Sequence, residues 1–188
     1  MSEEQKENSK KPVASAPAEA STSPKPAAPA EAEPAPIPAG EMGQLLEKSK
    51  IPVKHLGNDA CGAEMIDVAC ADLLRAAEMI RDQGQFDMLL SCAGVDWKDR
   101  LESVYHLYST KTAKTLALKV TAENEHSPSL MPIWHAADWH ERESYDLLGI
   151  QYDGHTNLTR ILMPNDWLGH PLRKDYKVDD PRLVWNER

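Results

Sequence analysis

Long apolar runs and an excess of basic residues are both missing from this sequence. No stretch of about eighteen apolar residues occurs, so no segment is predicted to span a membrane. The formal net charge is −9, whereas a protein that binds nucleic-acid phosphates normally presents a basic face. The first residues contain no apolar stretch of the kind that directs secretion, and we therefore expect no secretory signal.

Cysteine is also scarce, which argues against cysteine-rich metal sites. Cys61, Cys70 and Cys92 lie far apart and form no C-x-x-C pair, so this chain alone is not expected to build a zinc or iron–sulfur site. An odd number of thiols without a secretory signal is typical of a reducing compartment. We expect each thiol to be a small buried apolar group, including Cys92 in the small-residue run 91–94.

Motifs for independent catalysis are missing as well. The sequence has no glycine-rich phosphate loop and no nucleophile elbow. His140 and Glu141 begin like a zinc-protease helix, but Ser144 occupies the position of the second histidine. His135 lies five residues from His140, on a different helical face. Glu141 and Glu143 would also point in different directions from a helix, so they do not form an acid–base pair.

Composition divides the chain into three parts. Residues 1–40 hold eight of the fourteen prolines and ten alanines, which cannot bury enough apolar surface to offset the entropy lost on ordering. We expect this Pro/Ala-rich tail to be mobile, either as a tether for a partner subunit or as a dispensable extension. Residues 41–150 are predicted to form the folded domain, and residues 151–188 an extended C-terminal arm.

Residue patterning inside the domain predicts both helices and strands. Helices are predicted at 41–50 and 71–81, and a helical turn at 130–135. The predicted strands are 51–56, 63–68, 86–95, 101–108 and 114–121.

Two of these strands carry particular expectations. The strand 86–95 is predicted to be buried because it is a nearly continuous apolar run. The strand 114–121 has the clearest alternation, with Leu116, Leu118 and Val120 on one side. Together the elements indicate an α+β fold, in which helices cover a mixed β-sheet and an extended irregular arm follows.

A further short helix, of about ten residues, is predicted between Asp138 and Gly149. Asp138 and Glu141 have the spacing of a capping box, in which a side-chain acceptor precedes a carboxylate by three residues. Arg142 and Asp146 stand four residues apart and are expected to pair along one face of the helix. Gly149 supplies the stop because glycine adopts left-handed backbone angles without strain.

The segment 166–176 differs from the helix that precedes it. Pro164, Gly169 and Pro171 prevent any regular element there. Large apolar side chains nevertheless stand beside charged ones, as in Trp167, Leu172, Arg173, Lys174, Asp175 and Tyr176. Such a strip either docks on another protein or packs back on its own domain.

These two regions together resemble a known family. The positions that carry the resemblance are Glu141, Arg142, Glu143, Asp146, Gly149, Ile150, His155, Arg160, Ile161, Leu162, Asp166, Trp167, Gly169, Pro171, Leu172, Arg173, Lys174, Asp175 and Tyr176. In order, spacing and residue type, the pattern is similar to the NuoC-type subunit of the proton-pumping NADH:quinone oxidoreductase, respiratory complex I. Two positions depart from the pattern. The family usually has proline at the position of Thr156 and often has arginine at the position of Thr159.

The resemblance implies a non-redox subunit in the peripheral arm of complex I. The complex transfers electrons from NADH through FMN and iron–sulfur clusters to quinone and couples this to proton translocation. The resemblance places those cofactors in partner subunits and leaves this chain without cofactor, metal or catalytic group. It implies neighbours that include the quinone-site subunit and the terminal iron–sulfur subunit. It also implies a location on the cytoplasmic face of the inner membrane, of plasma or thylakoid type, with membrane contact only through the complex.

Under the same resemblance, two clusters are expected to contact partner subunits. The predicted interface residues are Glu141, Arg142, Glu143, Asp146, His155, Arg160, Asp166, Trp167, Pro171, Leu172, Arg173, Lys174, Asp175 and Tyr176. Arg173 and Lys174 are expected to pair with acidic groups of a neighbouring subunit. Of the tryptophans Trp134, Trp139, Trp167 and Trp185, which suit interface hot spots, we expect Trp139 to lie in the core.

Two alternatives remain open. The chain could be the equivalent subunit of a related complex with another electron donor, such as a photosynthetic NDH-1-type complex or a membrane-bound hydrogenase. Neighbouring genes for NADH- and flavin-binding subunits would distinguish that case. A freestanding hydrolase using Glu141 and a histidine is a function of another class, and it requires activity from the purified chain alone.

Overall fold

A five-stranded mixed sheet forms the centre of the fold. The computed structural model describes residues 40–177; the predictions for residues 1–39 and for Trp185 lie outside that range. The helices are α1 (Glu41–Lys48), α2 (Leu73–Asp82) and α3 (Ala137–Leu148). The strands are β1 (Val53–Asn58), β2 (Glu64–Val68), β3 (Met88–Asp96), β4 (Leu101–Tyr108), β5 (Thr115–Thr121), β6 (His126–Pro128) and β7 (Gln151–Asp153).

The strand order in the large sheet is β1-β2-β5-β4-β3. Strands β2 and β5 pair in parallel and the other neighbours pair antiparallel, while β6 and β7 form a separate parallel pair. Residues 154–177 contain neither helix nor strand. The predicted α+β fold with an irregular C-terminal arm is therefore confirmed, but the pair β6–β7 was not predicted, and residues 151–153, which were assigned to the arm, form strand β7. The part of the predicted arm after residue 177 lies outside the described residues.

Strand alternation determines which face of the large sheet holds the core. Leu118 of β5 lies opposite Ile66 of β2 on one side and Tyr105 of β4 on the other, and all three side chains are fully buried. Because neighbours in register project to the same face, they form one continuous apolar surface. Helix α2 adds Leu73, Ala76, Ala77 and Ile80 to this core.

The strand predicted to be buried, β3, is an edge strand of the sheet. Met88 and Leu90 are each 48% exposed, so that prediction is wrong. An apolar run does not reveal whether both faces and both edges of a strand have neighbours. The pairing of β3 with β4 shifts between Leu89 and Ser91, and the pairing of β1 with β2 shifts between His55 and Gly57. Both edge strands therefore carry an irregularity of the bulge type.

Helix α3 begins without the predicted capping box. Its first residue is Ala137 and its N-cap position is Ala136, so Asp138 lies inside the first turn. In the preceding helical turn, which was predicted, the N–H groups of residues 133 and 134 donate to the carbonyl of Leu130, and this turn leads directly into α3. Gly149 ends the helix at a φ of +80°, as predicted.

Two predictions about buried residues are wrong. Trp139 is 62% exposed, whereas Trp134 is buried and donates from Nε1 to the carbonyl of Phe86 at 3.1 Å. The buried residues of α3 include Ala137, Glu141, Ser144 and Leu148, and Trp139 lies outside this set. Cys61 is exposed, while Cys70 and Cys92 are buried as expected.

Gly149 allows a close approach that a side chain would block. A Cβ atom there would lie 2.6 Å from the ring of His170 and 3.1 Å from the guanidinium of Arg173. Gly154 has a similar φ of +86°, but an added Cβ would meet nothing within 4 Å.

This pair of glycines generates a prediction. Gly149→Ala should lower the free energy of unfolding more than Gly154→Ala, which should lose only the roughly 1 kcal/mol that a left-handed conformation costs alanine. Urea unfolding of both variants measures the difference. Equal losses would show that His170 and Arg173 do not pack on Gly149 in solution.

Candidate partner interface

The C-terminal arm (residues 154–177) runs along helix α3. His155 Nε2 lies 3.1 Å from the carboxylate of Asp138, and its side chain is fully buried. One turn further, the guanidinium of Arg142 donates to the carbonyl and hydroxyl of Thr159, at 3.2 and 2.9 Å. The arm therefore follows the helix in the same direction as the chain of the helix.

Asp146 anchors the middle of the arm. Its fully buried carboxylate accepts the backbone N–H groups of residues 161, 162 and 163 at 3.0, 2.7 and 2.8 Å. It also accepts a bond of 2.8 Å from Nη1 of Arg160. Burial opposes ionisation of this carboxyl, but these four donors together lower its pKa below the ordinary value. The predicted pairing of Asp146 with Arg142 is wrong because the arm occupies the carboxylate.

The end of the arm is attached to the domain by a second set of contacts. Arg173 donates from Nη1 to Glu125 at 2.6 Å and from Nε to the carbonyl of Leu148 at 2.5 Å. The backbone N–H of Lys174 donates to Asp96 at 2.7 Å. In the isolated chain the acidic partner of Arg173 is therefore Glu125, and the pairing of Arg173 with a neighbouring subunit stays a prediction. Glu125 is 48 positions away, too distant for sequence spacing to reveal the contact.

Glu141 lies between α3 and the sheet, away from any surface. It is fully buried and accepts bonds from the hydroxyl of Ser129 at 2.6 Å, the N–H of Leu130 at 2.8 Å and the hydroxyl of Tyr105 at 3.3 Å. Burial raises its pKa to about 7, although these three donors work in the opposite direction. A carboxyl in this position cannot touch a substrate, which removes the basis of the hydrolase alternative.

The predicted interface residues therefore separate by exposure. Glu141 and Asp146 are buried in their own domain, so they cannot contact a partner directly and form no shared charge cluster with Arg142 and Glu143. The exposed members are Glu143, Asp166, Leu172, Lys174 and Asp175. The partly exposed members are Arg142, Arg160, Trp167, Pro171, Arg173 and Tyr176, while His155 exposes only its backbone because its side chain is buried.

Apolar side chains of the arm face outward. Leu162, Leu168 and Leu172 are 58%, 48% and 60% exposed. On the adjacent helix the guanidinium of Arg142 lies 5.0 Å from the ring centre of Trp139, which holds that exposed ring in place. Leu158 of the arm packs against the core, whereas these three leucines remain exposed and are candidates for contact with another surface.

Sequence reasoning selected Leu172 as a candidate interface residue but not Leu162 and Leu168, which are exposed to a similar extent. The sequence shows that Leu162 and Leu168 are apolar. Whether their side chains face the domain or the solvent depends on which backbone groups of the arm bind Asp146 and Arg160. Arg160 reaches the carbonyl of Gly169 at 3.0 Å as well as Asp146, and so joins both parts of the arm.

The same part of the chain offers neither a metal site nor a membrane span. Within residues 40–177, no group of three or more His, Cys, Asp or Glu side chains is arranged to hold a metal ion. In that range no helix is long and apolar enough to cross a bilayer.

Removing the Asp146 anchor should release the arm. Asp146→Asn loses the buried ion pair with Arg160 and turns an amide N–H₂ toward groups that are themselves donors, so we expect a loss of about 3 kcal/mol in the free energy of unfolding. Amide hydrogen exchange at residues 161–163 should also become faster. Asp166→Asn, at an exposed carboxylate of the same arm, is the matched control and should change neither quantity.

Glu141 should make stability depend on pH. Its folded pKa of about 7 exceeds the ordinary value of 4.5, so between these values the folded protein holds a proton that the unfolded chain has released. The free energy of unfolding should therefore fall as pH rises through this window, by at most about 3 kcal/mol.

Urea unfolding at several pH values tests this expectation in Glu141→Gln. The variant should lose this part of the pH dependence, while Glu143→Gln, at an exposed carboxylate, should keep it. Parallel pH profiles for Glu141→Gln and the unchanged protein would contradict a raised pKa at Glu141.

Comparison with known proteins gives three related results. The C-type subunit of the NADH-quinone oxidoreductase from a Nocardioides species is 45% identical over 115 residues, which are 57% of this chain and 46% of that protein. This chain spans about half the length of the curated relatives it matches. A trypsin-resistant fragment (1–134) of Nqo5 has a TM-score of 0.51 at 22% identity, covering 61% of this chain and 95% of the fragment.

A third likeness is to a chain of the membrane-bound sulfane sulfur reductase, an archaeal respiratory membrane complex. The TM-score is 0.57 at 21% identity, with 72% of this chain and 82% of that chain covered. At such identities the two structures establish the fold alone. The family described as respiratory-chain NADH dehydrogenase, 30 Kd subunit, matches residues 66–182. Because this match covers more than half of the chain, the protein belongs to that family.

Proposed function

We propose that the protein is a non-redox structural subunit in the peripheral arm of an NADH:quinone oxidoreductase, complex I. In this role it supports electron transfer from NADH through FMN and iron–sulfur clusters to quinone, coupled to proton translocation. FMN and the clusters belong to partner subunits, and this chain supplies no catalytic group. Family membership and relatives that are named as subunits of NADH-quinone oxidoreductase support the proposal.

The observation that carries the proposal is the outward apolar face of the arm. Leu162, Leu168 and Leu172 are exposed although the arm itself is fixed to the domain at many points. A protein that acted alone would gain by burying these side chains, at roughly 25 cal/mol for each Å² removed from water. A rigid apolar strip of this kind suits a permanent partner surface.

We place the partners among the peripheral-arm subunits of the complex. The quinone-site subunit and the terminal iron–sulfur subunit are the proposed neighbours, and membrane contact arises only through the complex, at the cytoplasmic face. The role of this chain is then to hold its neighbours in the geometry that electron transfer needs.

A related complex with a different donor is the second candidate. The membrane-bound sulfane sulfur reductase contains a chain of the same fold, so the fold is compatible with more than one respiratory membrane complex. The donor module distinguishes the two cases. NADH- and FMN-binding subunits accompany the chain in the first case and are replaced in the second.

Purification of the tagged full-length protein from native membranes in mild detergent tests the proposal. Subunits that carry the quinone site and iron–sulfur clusters should co-purify and be identified by mass. Recovery of the chain alone would contradict an assembly role.

The same purification tests the apolar face. Leu162→Asp combined with Leu172→Asp should reduce recovery of partner subunits by about tenfold or more, because two apolar contacts are replaced by unpaired carboxylates and a loss of about 1.4 kcal/mol already corresponds to a factor of ten. Leu74→Asp is the control, since Leu74 is 42% exposed but lies on α2. Thermal unfolding of the purified variants checks that both remain folded. Equal recovery from the double variant and the control would exclude the arm as the contact surface.

A further inference from the structure

A second surface feature lies at the end of the large sheet. A cavity of about 430 Å³ opens between the β3–β4 turn, the chain that follows β5, and the arm. Leu101 and Ala122 contribute buried apolar groups to its lining, and charged residues surround them. Of the residues that line this cavity, the sequence analysis had selected only Arg173, Lys174 and Asp175.

One carboxylate organises the cavity. The two oxygens of Asp96 accept the backbone N–H of Lys98 at 2.6 Å and the backbone N–H of Lys174 at 2.7 Å. These bonds bring a residue of the β3–β4 turn next to a residue of the arm. The side chains of Lys98 and Lys174 therefore start from neighbouring backbone positions, although the two residues are far apart in the sequence.

Trp97 stands between Asp96 and Lys98, two residues that line the cavity, and its ring lies close to the ammonium of Lys174. Its ring is 48% exposed and is held by a bond of 2.7 Å from Nε1 to Glu102. The guanidinium of Arg100 lies 5.5 Å from the ring centre, and the ammonium of Lys174 lies 5.7 Å from it. The ring is thus oriented before any ligand arrives, which reduces the entropy lost on binding.

The charges around the cavity are not all paired. Arg173 is bound to Glu125, and Arg100 to Asp99 and Glu102. Within residues 40–177, no carboxylate forms a salt bridge with the side chain of Lys98 or Lys174. Two such cations beside an exposed tryptophan stand out in a chain whose net charge is −9.

We propose that this cavity binds an acidic segment of a neighbouring subunit, with its carboxylates on Lys98 and Lys174 and an apolar side chain against Trp97. The inference rests on the proposed function, because it requires an assembled complex. The proposed interface would then have two parts, an apolar contact through the leucines of the arm and a polar contact at this cavity.

The remaining charges favour a polypeptide over other anionic ligands. The lining also includes Asp96, Asp99, Glu125 and Asp175, as many carboxylates as there are lysines and arginines, so a ligand that carries only negative charge gains little net attraction there. A peptide segment offers backbone N–H groups that these carboxylates accept, together with side-chain carboxylates for the lysines. Mixed donors and acceptors on both partners give such contacts their specificity.

Zero-length cross-linking in native membranes tests the inference directly. A carbodiimide joins an ammonium to a carboxylate only when the two are in contact. The expected product links Lys98 or Lys174 to an aspartate or glutamate of another polypeptide, identified by mass after digestion. Links only to Asp99 or Asp175 of the same chain, or no link at either lysine, would overturn the inference.

Charge reversal supplies a second measurement on the full-length protein. Lys98→Glu combined with Lys174→Glu keeps both backbone bonds to Asp96 but loses the contact of Lys174 with Trp97, so thermal unfolding is measured to check that the domain stays folded. Retention on membranes at raised salt should fall by about tenfold. Lys48→Glu combined with Lys111→Glu reverses two exposed lysines elsewhere and should leave retention unchanged.

The outcomes separate the two proposals. Co-purification with respiratory subunits but equal retention of the two double variants would leave the proposed function intact and remove the cavity from the interface. Failure of the chain to co-purify at all would reject both.

Discussion

The carboxylate of Asp146 determines where the last part of the described chain lies. Three consecutive N–H groups and one guanidinium converge on a single fully buried side chain. Because unpaired donors or an unpaired carboxylate at this depth would each be costly, all members of the group depend on one another. The direction of the arm along α3 follows from this attachment, while the separate contacts of Arg173 and Lys174 place the end of the arm over the β3–β4 turn.

Much of the core was predictable because its signals are local. The alternation around Leu118 specifies a half-buried strand wherever its neighbours lie, and the stop at Gly149 needs only the backbone angles of one residue. Trp134 and Trp139 show the limit of this approach. They are five positions apart and chemically identical, yet the first is buried and the second is exposed, because only the tertiary contacts of α3 decide which face is covered.

The candidate interface was predictable in location but not in detail. The sequence marks the region around Arg173 and Lys174 as unusual because it combines proline, large apolar groups and charges. Which of those groups face inward depends on Glu125 and Asp96, which are far away in the chain. A charged side chain in a surface segment can form an ion pair either with its own domain or with a partner protein. The sequence does not distinguish these two pairings, but the folded structure does. For Arg173 the folded geometry shows a partner within the same chain, Glu125.

The irregular pairing at both edges of the large sheet has a consequence for the life of the protein before assembly. A protein destined for a complex is synthesised before its partners are in place, and during that time its exposed edges can pair with the edges of other copies. A bulge near Leu56 on β1 and another near Leu90 on β3 interrupt the row of free backbone groups that such pairing requires. Such interruptions disfavour edge-to-edge aggregation of the sheet, and the exposed leucines of the arm lie on an irregular segment that offers no strand edge for pairing.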